Sequence, residues 1–404
     1  MTAKFTPEMK HTHTILIPDM LPVTFGLIMA VFRAYGYKME LLTKSDRAVV
    51  DEGLKHVHND TCYPALLVIG QFMDALRSGK YDPNKTAVLI SQTGGGCRAS
   101  NYLHLLRKAL AKDFPQMPVL SINFSGLEKG SGFKITAPMF VKLLYCVLYG
   151  DLLMNCRNRL RAYEKTPGDA DTLTEIWQEK IAALFIKGGF RDTKKYYAEI
   201  MESFAAIPRI EANKPKVGIV GEIYVKYSPL ANNHLEEFLL AEGAEPVLPA
   251  FLDFCMYCAV NTVNDGKIYR FADGKTVAFS AVYRFLLHKQ HEMIRAVKKH
   301  GFFDPPHEFE ELRSFADELF HQGVKMGEGW LIPAEMAALC TSGVSNIVLT
   351  QPFGCLPNHI VARGMSAPIR RRFPESNIVA VDYDPGATRV NQENRIKLML
   401  ASAG

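Results

Sequence analysis

Three cysteines of this 404-residue chain stand where the backbone must turn sharply. Cys97 follows an apolar run, Ala87–Ile90, and the glycines Gly94, Gly95 and Gly96; it precedes a helical pattern with Leu103, Leu106 and Leu110 on one face. A strand that ends in glycines and turns into a helix places Cys97 near a helix N-terminus. Unpaired N–H groups and the positive end of the helix dipole favour a thiolate or another anion there. Glycines also let a bulky group approach the backbone closely. A phosphate loop is the rival reading, but the Walker A pattern needs a Lys-Ser/Thr pair after its last glycine, and Cys97-Arg98 stands in that place. GxGxxG is not matched either.

Cys62 lies in HNDTCYPALLVIG, where Pro64 suits the first turn of a helix because its missing N–H would be unpaired anyway. Cys355 lies in NIVLTQPFGCLPNHI, after the apolar run Ile347–Leu349, on a turn made rigid by Pro352, Gly354 and Pro357. In open α/β sheets, ligands collect at the C-terminal ends of the strands. Three thiolates on Gly/Pro turns suit an iron–sulfur cluster with one iron left for a non-cysteine ligand. Zinc is the metal alternative, although catalytic zinc more often takes His or Glu beside Cys. For any one cysteine alone, a buried structural residue in a tight turn is the competing reading.

Polar groups surround the three turns: Arg98, Ser100, Asn101 and Tyr102 after Cys97, His56, His58, Asn59 and Asp60 before Cys62, and Asn358 and His359 after Cys355. Hydrogen bonds to the sulfurs of an anionic cluster raise its potential, and Arg98 is the leading candidate for that role. Gly96 and Gly354 leave room for a bound group. Glu222, at a strand end, is a candidate acid/base group. Ordinary roles compete: the histidines read as solvated or capping, Asn101 as a helix cap, and Asp382–Gly386 as a turn after a strand. Cys255 and Cys258 form a CxxC in aromatic, apolar surroundings that read as core, with ligation as the alternative. Cys146, Cys156 and Cys340 read as small apolar residues in helix packing.

The segments HNDTCYP, QTGGGCRASNY, VGIVGEIYVKYSPLANNHLEEFL, QPFGCLPNHI and DYDPGATRVNQENRIKLM together resemble the 2-hydroxyacyl-CoA dehydratase/double-cubane-cluster superfamily. The branch most similar is the domain fused to, or encoded beside, the ATP-dependent acyl-CoA dehydratase activases. The resemblance covers roughly residues 12–400. It implies an oxygen-sensitive protein with cysteine-ligated iron–sulfur chemistry, and it carries the ligand role to Cys62, Cys97 and Cys355. It further implies an ATP-hydrolysing activase, with its own cluster, as electron donor, and a homodimer. A [4Fe–4S] cluster is expected; an 8Fe–9S double cubane takes six cysteines, and the five others here lie in no matching motif. The expected function is reductive chemistry on a small substrate with electrons from the activase. The alternatives are a 2-hydroxyacyl-CoA dehydratase subunit and a non-catalytic electron-transfer partner of the activase.

The elements that must position these residues alternate strand and helix, which argues for parallel sheets covered by helices. Residues 10–135 read as an N-terminal α/β domain with Cys62 and Cys97, 136–212 as a helical insert, and 213–404 as a C-terminal α/β domain with Cys355. The fold class is thus α/β, with two flavodoxin-like or Rossmann-like parallel-sheet domains and the cluster in the cleft between them. The strand-turn-helix starts at Thr14 and Lys216 look alike, which suggests related halves. Composition is globular, 48% hydrophobic and 22% charged, with a net charge of +5. The basic clusters are short and read as solvated faces, so nucleic acid is not expected as a partner. MTAKFTPEMKHTHT lacks a signal-peptide core, and no apolar run is expected to reach membrane-spanning length. Eight cysteines without a secretion signal argue for reduced thiols or metal ligands in the cytoplasm.

Overall fold

The structure, a computed structural model, describes residues 3–58, 60–92, 96–123, 126–127, 132–270 and 274–402. Asn59, Gly94 and Gly95, named above, lie outside the described residues. After a one-turn helix α1 (Met9–Thr12), the first sheet contains β1 (Thr14–Pro18), β2 (Lys38–Leu42), β3 (Thr86–Gln92), β4 (Val119–Asn123) and β5 (Gly126–Leu127). Its order is β2-β1-β3-β4-β5; the first four strands are parallel, and β5 pairs antiparallel to β4. The second sheet contains β6 (Lys216–Gly221), β7 (Glu245–Val247), β8 (Asn346–Pro352) and β9 (Asn377–Tyr383), all parallel in the order β7-β6-β8-β9. The two halves therefore repeat one strand order, in keeping with the likeness of their starting segments. Both are α/β, as the alternation of elements predicts.

Helices connect the strands of the first sheet: α2 (Pro22–Ala34), α3 (Arg47–His56), α4 (Tyr63–Arg77) and α5 (Tyr102–Asp113). Helix α3 escapes the sequence reading; Asp46 caps it by accepting from the Ala48 N–H at 3.0 Å. Helix α4 is apolar all round, and 12 of its 15 residues are buried, so it is an interior helix rather than a surface one. Its side chains belong to a buried cluster that also takes Val88 and Ile90 from the first sheet and Val217, Ile219 and Val348 from the second. The halves are thus joined by a shared core, with Cys62 at the head of the helix inside it.

Helices α6 (Ala137–Arg161), α7 (Asp169–Lys187) and α8 (Thr193–Ala205) form the expected helical region. Thr136 caps α6 through the Met139 N–H. Contrary to the expectation that no segment reaches membrane-spanning length, α6 is 25 residues long and apolar enough to do so. Most of that apolar surface is buried within the protein. It packs on α2, α7 and α8, and on α11 (Phe251–Ile268) and α12 (Gly274–His300). The same core holds Trp177 and Phe204 of the helical region together with Met256, Phe309 and Trp330.

The remaining helices are α9 (Ile223–Tyr227), α10 (Leu235–Ala241), α13 (Phe309–Leu319), α14 (Leu331–Thr341), α15 (Arg363–Arg372) and α16 (Arg389–Ala401). Helix α10 starts only at Leu235 because Asn233 and His234 adopt left-handed backbone angles. Asn232 instead caps α10, accepting from the Leu235 N–H at 3.1 Å.

Candidate functional site

Cys62 at the start of α4, Cys97 before α5 and Cys355 after β8 share one electrostatic neighbourhood: Cys62 feels Cys97, and Cys355 feels Cys62. Cys62 is the N-cap of α4 and leaves its side chain free of a capping bond. The next residue, Tyr63, donates its N–H to the Phe353 carbonyl at 3.0 Å, which pins the start of α4 to the turn carrying Cys355. Gly354 in that turn has a φ of 73°, and a Cβ there would stand 3.3 Å from the Cys62 Cα. Both the left-handed backbone and the close approach require glycine. Cys97 caps a 3-10 turn, Arg98–Asn101, that leads into α5. Beside it, a Cβ on Gly96 would meet the Met326 sulfur at 2.4 Å, so this glycine makes room for a neighbouring loop.

Two sulfurs receive hydrogen bonds. The Tyr102 hydroxyl donates to Cys62 Sγ at 3.2 Å, and Asn358 Nδ2 donates to Cys355 Sγ at 3.6 Å. Asn358 is fully buried, and its Oδ1 has no hydrogen-bond partner among the described residues. Arg98 reaches the turn before Cys62. Its exposed guanidinium donates to the Asp60 carbonyl at 2.6 Å, two residues before Cys62. It therefore ties the Cys97 turn to the Cys62 turn through backbone rather than through a sulfur. The Ser100 hydroxyl donates to the Cys97 carbonyl at 2.8 Å, and Asn101 makes no side-chain cap bond. His56 pairs with Glu52 at 3.1 Å, His58 is exposed, and the His359 ring meets Gln351 Nε2 at 3.0 Å.

Glu222 is buried at the end of β6, where its carboxylate accepts from the Val225 N–H at 2.8 Å. A second carboxylate, Glu328, accepts from the Ile223 N–H at 3.1 Å on the same helical turn. Sequence reasoning missed Glu328. Its signal is Gly327-Glu328-Gly329: two glycines at φ 60° and 33° fold the loop so that the glutamate points inward. Burial and the charge of Glu328 push the Glu222 carboxyl up; burial does the same for Glu328. Both carboxylates bear on Cys62 and Cys355.

Burial, followed by the charge of Glu222, pushes the Cys62 thiol well up, while the Tyr102 hydroxyl works against the shift. Burial, then Glu328, does the same to Cys355. Metal ligation at these two sulfurs therefore requires each to lose its proton, since the thiolate is the ligand. Among the described residues, no three His, Cys, Asp or Glu side chains close on a point that would hold a single metal ion. A cluster makes a different demand, since each of its cysteines binds a different iron. Cys146 and Cys156 are fully buried in α6, and Cys255 and Cys258 lie on α11 in the helical core. Cys258 feels the Glu328 charge, so that helix adjoins the carboxylate pair. Cys340 is partly buried on α14.

Asp19, just after β1, is 8% exposed, and its Oδ1 has no hydrogen-bond partner among the described residues. Burial pushes its carboxyl up to about 7, against the Met20 N–H that lowers it. A carboxyl raised on folding contributes stability below its unfolded pKa and loses that contribution as pH rises through the folded value. Asp19→Asn should therefore leave urea stability near the wild-type value at pH 4 but exceed it at pH 8 by roughly 2–4 kcal/mol. Equal differences at both pH values would show that Asp19 does not titrate in this range.

No family model and no curated protein matches the chain. Among solved structures, it is similar to the Leishmania major tyrosyl-tRNA synthetase in complex with fisetin, at 12% identity over 98% of this chain and 88% of that one. The TM-score of that pair is 0.20, and no inference rests on it.

Proposed function

We propose that Cys62, Cys97 and Cys355 hold a [4Fe–4S] cluster in a cleft between two flavodoxin-like halves. The protein then takes low-potential electrons from an ATP-hydrolysing activase for reductive chemistry on a small substrate. The observation that carries the reading is the gathering of three cysteine turns from two sheets, with hydroxyl and amide donors on two of the sulfurs. When bound, the cluster would supply one-electron reduction and an open iron.

The chain's own residues have separate tasks. Tyr102 and Asn358 orient the sulfurs of Cys62 and Cys355. Gly354 lets the two ligand loops touch, and Arg98 fixes the spacing of the Cys62 and Cys97 turns. Burial raises the Glu222 carboxyl, to about 8, and the Glu328 carboxyl, and the two lie at one helical turn beside the thiols, which suits proton delivery there. Phe353, Leu356 and Ile360 are exposed around Cys355, and Met326 is exposed beside Gly96. This apolar rim suits docking of the activase over the site. A cytoplasmic, oxygen-poor setting and a homodimer belong to the same proposal.

The test is anaerobic reconstitution followed by iron and sulfide counting and an EPR spectrum of the reduced protein. About four irons and four sulfides per chain, with a reduced-cluster signal, are expected. A protein that stays iron-free, or takes up only zinc, would overturn the reading.

A further inference from the structure

A second site lies away from Cys62, Cys97 and Cys355, beside the edge strand β7. A cavity of about 380 Å³ opens between α6, α11, α12, α13 and α14. That volume is in the range of small-molecule sites. Its lining includes three buried carboxylates, Asp151, Asp253 and Glu335. The structure accounts for two of them. Glu335 is bound through both oxygens by Lys226 Nζ, at 2.9 and 3.1 Å. Asp151 accepts from the Phe251 and Leu252 N–H groups, at 3.0 and 2.8 Å, at the start of α11.

Asp253 is left over. It is 3% exposed, and its Oδ1 accepts from Gln290 Nε2 at 2.9 Å. Gln290 is locked in that orientation because its Oε1 accepts from the Phe309 N–H at 2.9 Å. Asp253 Oδ2 accepts no hydrogen bond among the described residues. A carboxylate oxygen without a protein donor, on the wall of a cavity, is open to a cationic ligand. The charges around the cavity agree: its walls carry Asp151, Asp253, Asp304, Glu308, Glu311 and Glu335 against Lys216, Lys298 and His307, of which His307 meets Glu311 at 3.1 Å. The Lys216 ammonium is already paired with Asp304. No three carboxylate or imidazole groups among the described residues converge on a metal-holding point, so a bare divalent ion is the poorer fit.

We propose that this cavity binds a small organic cation, an alkylammonium or guanidinium compound, with Asp253 as its counter-charge. An N–H donor of the ligand takes the free Asp253 oxygen, and its carbon skeleton lies against Leu252, Met293 and Leu312. Isothermal titration of the whole chain at pH 8 with putrescine, agmatine and methylguanidinium tests this, with magnesium chloride as a fourth titrant. None of Cys62, Cys97 and Cys355 lines the cavity, so the titration is run with and without iron. At least one organic cation should bind saturably, and Asp253→Asn, which keeps the bond from Gln290, should weaken it at least tenfold. The number of protons released on binding, read from buffers of different ionisation enthalpy, should fall in the variant. The proposal is overturned if no organic cation binds saturably, if Asp253→Asn binds as wild type does, or if magnesium alone binds.

Discussion

Replacing Lys226 by methionine is expected to destabilise the protein by about 3–5 kcal/mol at pH 8. Lys226 is 1% exposed and forms a two-oxygen ion pair with Glu335, which is equally buried. Its charge also holds down the carboxyls of Asp151, Asp253, Glu222 and Glu328. One ammonium thus serves five buried acids, on the cysteine side and on the cavity side of α9. Removing it strands Glu335 as an unpaired buried charge, which costs far more than the pair itself contributes. The loss should shrink as pH falls toward the ordinary carboxylate range, because a proton then replaces the ammonium on Glu335, whose carboxyl burial already raises. The double variant Lys226→Met/Glu335→Gln should recover most of the stability. Chemical denaturation at pH 8 and pH 5 checks all three points. A single variant within 1 kcal/mol of wild type at pH 8 would mean that the pair is not closed in solution.

Much of the fold is legible because strands and helices differ in the spacing of their apolar residues. The apolar runs Ala87–Ile90 and Ile347–Leu349 lie within β3 and β8. Cys62 at a helix start was legible from Pro64, and Cys355 on a turn from Gly354 and its flanking prolines. What local pattern cannot supply is the partner that a side chain meets across the fold. Arg98 reads as a cluster ligand's neighbour by charge alone, and its bond to the Asp60 carbonyl is visible only in the fold. Glu328 reads as a loop residue until the Gly327 and Gly329 turns carry it onto the helical turn that Glu222 already caps. Helix α3 buries Val49, Val50 and Gly53 and packs on α4, a partner that the local pattern does not name.

The second large effect concerns the three thiols. Cys62→Ala, Cys97→Ala and Cys355→Ala should each lose most of the iron from anaerobically reconstituted protein, since a cubane held by three cysteines has no spare ligand. Cys146→Ala and Cys156→Ala should keep it, because those sulfurs are fully buried in α6. Cys355 is the most informative of the set. It comes from the second sheet, whereas Cys62 and Cys97 come from the first half, so only a site assembled across both halves depends on it. The deciding measurement is therefore iron per chain in Cys355→Ala beside Cys156→Ala, on folded protein checked by circular dichroism. Loss of most of the iron in the first and full retention in the second is the expected result. Full iron in Cys355→Ala would contradict a cluster shared between the halves.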